Sequence, residues 1–141
     1  MAAMARRDAV LDSSMIIQHV QARDKQSSFF LRSMLAYDPN LSAISVYEIE
    51  LGAFRAGRLS DIGALQVEFK VLPLTEVIAR KAAELDASLI CQNLQIGIKD
   101  TFIAATCLVH HLPILTVNIR HFDRIDGLQI IDVNTLPSID E

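Results

Sequence analysis

Short apolar runs of strand length alternate with longer stretches whose apolar residues recur at helical spacing, and nothing else in the chain restricts its fold as much. The runs are AVL at 9–11, LSAISV at 41–46, ILTV at 114–117 and LQIID at 128–132. Strands separated by helices are not joined by tight hairpins, so the economical arrangement is a parallel sheet with helices on both faces. The pattern predicts helices over 14–22, 27–35, 47–57, 60–69 and 100–110. Asp38-Pro39-Asn40 reads as a turn cluster, VLPL at 71–74 as a short extended piece, and Thr75 as the cap of a helix running to about Cys91. The expectation is an α/β domain of three layers, α/β/α, around a central, mainly parallel sheet of four to five strands. With 141 residues, 51% of them hydrophobic, the chain has material for one compact core and little for a second. A single domain over 1–141 is expected, its core at about 8–133, with a short N-terminal extension and a C-terminal tail.

Several functional classes are disfavoured. The longest apolar stretch, Thr101 to Val117, is broken by His110, His111 and Pro113 and is short for a membrane span. The opening MAAMARRDAV carries two arginines with no apolar run behind them, which is not a secretory pattern, so a cytoplasmic protein is expected. Cys91 and Cys107 lie in apolar helical contexts without ligand spacing and read as buried reduced thiols. A net charge of −4 argues against coating nucleic acid by charge alone. Local cations remain available at Lys99, Arg120 and Arg124, with Arg55 and Arg58 further away in sequence.

Polar residues stand where the strands end. Asp12 follows AVL, Glu48 comes two residues after SAISV, and Asn118 follows ILTV. In an open parallel sheet these carboxyl ends share one edge, the edge where ligands bind. Asp100 joins them from the first turn of a helix that is otherwise almost wholly apolar. Each also has a plainer reading: Asp12 as a helix cap, Glu48 and Asp100 as acids favoured by a helix dipole, Asn118 as a turn former. Crowded carboxylates repel one another unless a cation shares the site. Oxygen-only donors favour Mg²⁺ or Mn²⁺, whose bound water becomes a nucleophile for phosphodiester hydrolysis.

These residues also carry a family resemblance. VLDSSMII resembles the opening of PIN domains, ISVYEIELGAF the segment with a glutamate four residues ahead of a glycine, and IGIKDTFIAATCLVHHLPILTVNIRHFDRIDGLQII the closing signature with its Thr-x-Asn. Nearly the whole chain is covered in the family's order. At this length it looks most like the VapC toxins of toxin–antitoxin pairs. The resemblance implies a Mg²⁺- or Mn²⁺-dependent endoribonuclease, usually a homodimer, inhibited by a VapB-like antitoxin, with tRNA or another structured RNA as substrate. By position it makes Asp12, Glu48 and Asp100 the metal ligands. It puts Asn118, a neutral amide, at the fourth and commonly acidic position. Ser14 and Thr116 become supporting neighbours of the ligands, and Lys99, Arg120 and His121 contacts to RNA.

Other constellations are weaker. His110 and His111 fall at a helix end, where the dipole favours them, and Glu50 reads as helix surface. An aspartyl-phosphate phosphatase would need a second acid where Ser14 stands, and a phosphorylation receiver a later acceptor aspartate and lysine that are missing. The serious alternative is a PIN fold that binds RNA or protein without cutting, which the neutral Asn118 keeps open. Phe29 and Phe30, in SSFFLRSML, are candidates for a partner surface or for half of the core.

Overall fold

Ala9, Val10 and Leu11 are all fully buried, which consecutive residues of a strand achieve only when both faces of the sheet are covered. They belong to β1 (Arg7–Leu11), the middle strand of five. The others are β2 (Tyr37–Ser42), β3 (Lys70–Leu72), β4 (Ile114–Thr116) and β5 (Ile130–Asp132). All pair in parallel, in the order β3-β2-β1-β4-β5. The computed structural model describes residues 5–138. Seven helices accompany the strands among those residues: α1 (Ser13–Gln21), α2 (Phe29–Ser33), α3 (Ala43–Arg55), α4 (Asp61–Ala64), α5 (Glu76–Cys91), α6 (Ile98–His110) and α7 (Ile119–Phe122).

Side-chain alternation sorts the sheet residues into two cores. Ala9, Leu11, Leu41 and Leu115 pack with Met15, Ile16, Phe30 and Ile49 on the face covered by α1, α2 and α3. Val10 and Ile114 pack on the opposite face with Leu89, Ile103, Cys107 and Phe122 from α5, α6 and α7. The three-layer expectation holds, with a parallel sheet at the upper end of the expected strand count.

The second strand lies earlier than the apolar pattern suggests. LSAISV was the expected strand, but β2 is YDPNLS, and Ala43 onward is helix. Ser42 is the reason: its backbone is extended, and its hydroxyl accepts the Ser45 amide at 3.0 Å, which caps α3. Asp38-Pro39-Asn40 is therefore strand rather than turn. Proline is tolerated because β3 pairs with β2 only from Asn40 onward, so the missing amide proton falls ahead of that ladder. Ser42→Ala is expected to cost about 1 kcal/mol, the usual worth of such a cap. Urea denaturation measures it, and an unchanged midpoint would mean that α3 does not depend on this cap.

Other boundaries also move. The helix expected at 27–35 is a 3₁₀ turn, Lys25–Ser27, followed by the five residues of α2. The one expected at 60–69 shrinks to α4, and the extended piece after it supplies β3. Glu50 is not idle helix surface: its Oε1 accepts the amides of Asp61 and Ile62 at 3.1 and 3.0 Å and so caps α4. Arg58 closes the same turn with a paired contact to Asp61 at 2.6 and 2.9 Å, which holds the Asp61 carboxyl below its usual range. Cys107 is buried as expected, whereas Cys91, at the last position of α5, is exposed. Phe30 is core and Phe29 half-buried. Among the described residues no helix is long and apolar enough to cross a membrane.

Candidate active site

The chain runs from β1 outward to β3 and then returns on the other side of β1 with β4, so the sheet changes winding direction between β1 and β4. Crevices open at such points, beyond the carboxyl ends of the strands. Asp12 stands there, its amide donating to the Leu115 carbonyl at 2.9 Å, directly beside the end of β4.

Asp12 is 1% exposed, and its carboxylate is held rather than neutralised. Ser14 Oγ and Thr116 Oγ1 each donate to Oδ2 at 2.8 Å. Ser14 Oγ also accepts the Val117 amide at 3.4 Å, and Thr116 Oγ1 the Asn118 amide at 2.9 Å. Burial pushes the Asp12 pKa up and the Asp100 charge adds to the rise, against the two hydroxyl hydrogen bonds.

Glu48 is not at a strand end, as the sequence pattern placed it, but in the second turn of α3. It still reaches the same place. Ser13 Oγ donates to its Oε1 at 3.1 Å and lies 3.5 Å from Asp12 Oδ1. Burial raises the Glu48 pKa, and the charges of Asp12 and Asp100 raise it further, with Ser13 and Lys99 acting in the other direction. Ser13 was not singled out as a site residue from the sequence. Its signal was the doubled serine after Asp12, of which one hydroxyl serves Asp12 and the other Glu48.

Asp100 lies in the first turn of α6, which starts after Gly97. Gly97 has φ +98°, a conformation that L side chains rarely adopt, and this lets the chain turn sharply into the helix. Asp100 Oδ2 is 2.8 Å from His121 Nδ1, on α7. Asn118 caps the start of α7 with its backbone; its exposed side chain makes no capping bond, and it is tied to Asp12 only through Thr116. His110 and His111 lie at the far end of α6, about 15 Å along the axis from Asp100, and take no part.

A groove of about 300 Å³ is lined by Glu48, Ile96, Gly97, Ile98, Lys99 and Asp100. Another of about 400 Å³ is lined by Val117, Asn118, Ile119, Arg120 and His121. The Asp100–His121 hydrogen bond joins the walls of the two. The exposed Lys99 ammonium sits 5.5 Å over the Tyr47 ring. A larger cavity, about 560 Å³, opens at the opposite end of the sheet among Arg6, Asp8, Asp38 and Lys70, and contains none of these acids.

The donors are hard oxygens, the Asp100 charge raises the pKa of both Asp12 and Glu48, and among the described residues no Lys or Arg lies within ion-pair distance of Asp12 or Glu48. Such a set suits Mg²⁺ or Mn²⁺ better than zinc. Among the described residues no group of three or more His, Cys, Asp or Glu side chains stands ready to hold a metal ion, so an ion taken here would use few of these carboxylates and keep most of its waters.

Comparison with known proteins agrees with this fold. Residues 9–128 match the PIN domain family. Ribonuclease VapC10 of Mycobacterium tuberculosis is 33% identical over 124 residues, 85% of this chain and 90% of that protein. Ribonuclease VapC1 of Rickettsia felis is 27% identical over 89% of this chain and 96% of its own length. Among solved structures, VapBC-1 from nontypeable Haemophilus influenzae superimposes with a TM-score of 0.73 at 27% identity, covering 89% of this chain and 98% of that one. VapBC2 from Rickettsia felis, bound to a promoter DNA fragment, shares the fold with a TM-score of 0.75 at 18% identity, over 87% of this chain and 96% of that one. The parallel sheet, the acids gathered at its switch point and a match that spans most of the chain lead to one assignment: the protein belongs to the PIN-domain family, among its VapC-type ribonucleases.

Proposed function

We propose that this chain is a metal-dependent endoribonuclease, the toxin of a VapBC-type pair, cutting phosphodiester bonds in a structured RNA such as a tRNA. The observation that carries the reading is Asp12: a buried carboxylate at the β1/β4 switch point, clamped by Ser14 and Thr116 and lying in the field of Glu48 and Asp100. Asp12, Glu48 and Asp100 would hold Mg²⁺ or Mn²⁺, with Asn118 beside them at the end of β4. Bound there, the ion would supply a more acidic water as nucleophile and a counter-charge for the phosphoryl oxygens.

The chain's own residues do the positioning. Ser14 and Thr116 fix Asp12, and Ser13 fixes Glu48. Lys99 and Arg120, exposed on the groove walls, offer cations to RNA phosphates, which a chain of net charge −4 needs locally. Tyr47, Leu51 and Phe54 form an exposed apolar stripe along α3, consistent with a protein-covered face, whether in a homodimer or under a VapB-like antitoxin. The VapBC complexes among the structural relatives support the antitoxin as a partner. RNA and antitoxin would both be met in the cytoplasm.

The test is cleavage of a mixed structured-RNA pool by antitoxin-free protein in Mg²⁺, in Mn²⁺ and in EDTA, beside Asp100→Asn. Cutting that needs the metal and disappears in the variant is the expected result. Folded protein that cuts in no metal would transfer it to the non-catalytic binding class, and an Asp100→Asn variant that cuts like wild type would remove Asp100 from the ligand set.

A further inference from the structure

We propose that His121 is a positioning residue for Asp100, an inference that rests on the metal-site reading above. Each of the three acids is held by hydroxyls or an imidazole, and among the described residues none by a Lys or Arg: Asp12 by Ser14 and Thr116 at Oδ2 with Ser13 at Oδ1, Glu48 by Ser13, and Asp100 by His121. The hydroxyl donors fix orientation without adding charge to the site. For Asp100 to serve as an ionised ligand, Nδ1 must be the nitrogen that donates to Oδ2. Asp100 Oδ1 takes no hydrogen bond among the described residues and is left for the ion.

The fold supports His121 at both ends of its short helix. Ahead of it, the Asn118 amide is held by Thr116 Oγ1, the same hydroxyl that holds Asp12. Behind it, Phe122 is fully buried in the core shared with α6. The imidazole is thus fixed to the end of β4 and to the helix that carries Asp100. Into α7, the chain passes from the Asp12 clamp to the Asp100 clamp in six residues, Thr116 to His121. A residue whose sole purpose was to meet RNA phosphate would not need its Nδ1 committed to a carboxylate.

The experiment is a direct Mn²⁺ titration, reading free Mn²⁺ by electron paramagnetic resonance, on wild type, His121→Ala and His121→Asn, with RNA KM measured at saturating Mn²⁺. Asparagine places an amide nitrogen where Nδ1 stood. Partners that orient a metal ligand typically change affinity by about 10- to 100-fold. The expected results are a loss of at least about tenfold in Mn²⁺ affinity for His121→Ala, most of it recovered in His121→Asn, with RNA KM unchanged. His121→Phe, which keeps the ring and drops the nitrogen, replaces the alanine variant if that fails to fold. Unaltered Mn²⁺ affinity on losing the imidazole overturns the proposal, as does a raised RNA KM in both variants with metal binding intact, which would make His121 an RNA contact. Wild-type protein that binds no Mn²⁺ would instead sink the metal-site reading itself.

Discussion

Asp12→Asn is expected to lower RNA cleavage by at least about a hundredfold, because metal stabilisation of a phosphoryl transition state is worth several kcal/mol and each 1.4 kcal/mol is tenfold in rate. The same change should leave the metal-free protein at least as stable as wild type at neutral pH. Asparagine keeps an oxygen where Ser14 and Thr116 donate, and removes a charge buried at 1% exposure that Asp100 and Glu48 repel. Burial first and charge repulsion second raise the carboxyl pKa of Asp12, so the folded state holds that proton more tightly than the unfolded chain. The stabilisation that proton brings is complete in acid, below the ordinary carboxylate range, and is lost as pH rises through the elevated value. The stability gap between variant and wild type is therefore widest near neutrality and closes on acidification. Saturating Mn²⁺ reverses the order, since the ion stabilises only the chain that binds it. Denaturant midpoints across pH, with and without Mn²⁺, read all of this. A metal-free wild type more stable than the variant at pH 7 would show that the carboxylate is structurally paid for elsewhere.

The second large effect lies away from the chemistry. Phe30 is 1% exposed, meets His19 edge-on at 5.1 Å between ring centroids and stacks on Phe69 at 5.9 Å. His19 is itself fixed, its Nδ1 2.7 Å from Ser28 Oγ, the hydroxyl that caps α2. Removing the ring leaves a cavity under α1 and α2 that rigid neighbours fill poorly. Phe30→Ala should cost about 3–5 kcal/mol, a large share of the roughly 5–15 kcal/mol that holds a domain of this kind together. A thermal midpoint lowered by more than about 8 °C is the expected reading. Cleavage per folded molecule should be unchanged, because the ring contacts of Phe30 are to His19 and Phe69 and not to Asp12, Glu48 or Asp100. A small shift would place Phe30 among residues whose surroundings collapse easily.

The two predictions separate what could be read in the chain from what could not. A carboxylate directly after a buried apolar triplet, as at Asp12, is visible in one dimension, since strand ends can be located and parallel strands put their carboxyl ends together. Glu48 was legible as an acid at the right spacing from Gly52, yet its surroundings were misread. LSAISV has the branched residues of a strand, and only the Ser42 hydroxyl on the Ser45 amide makes it a helix start. β2, with its proline, reads locally as a turn and becomes a strand because β1 and β3 pair with it. The clamps were the least legible. Ser13 meets Glu48 across 35 positions, Thr116 meets Asp12 across 104, and His121 meets Asp100 across 21. No local propensity encodes such partners; they follow from the strand order.

That strand order also sets a timetable. Because β4 lies next to β1 although it is made more than a hundred residues later, Asp12 obtains its Thr116 donor only after most of the chain has left the ribosome. Asp100 and His121 arrive later than Asp12 and Glu48 as well. A nascent chain therefore carries these acids without their orienting partners until β4 and α7 have been made. The topology thus makes the assembly of the candidate site one of the last events as the described residues are synthesised.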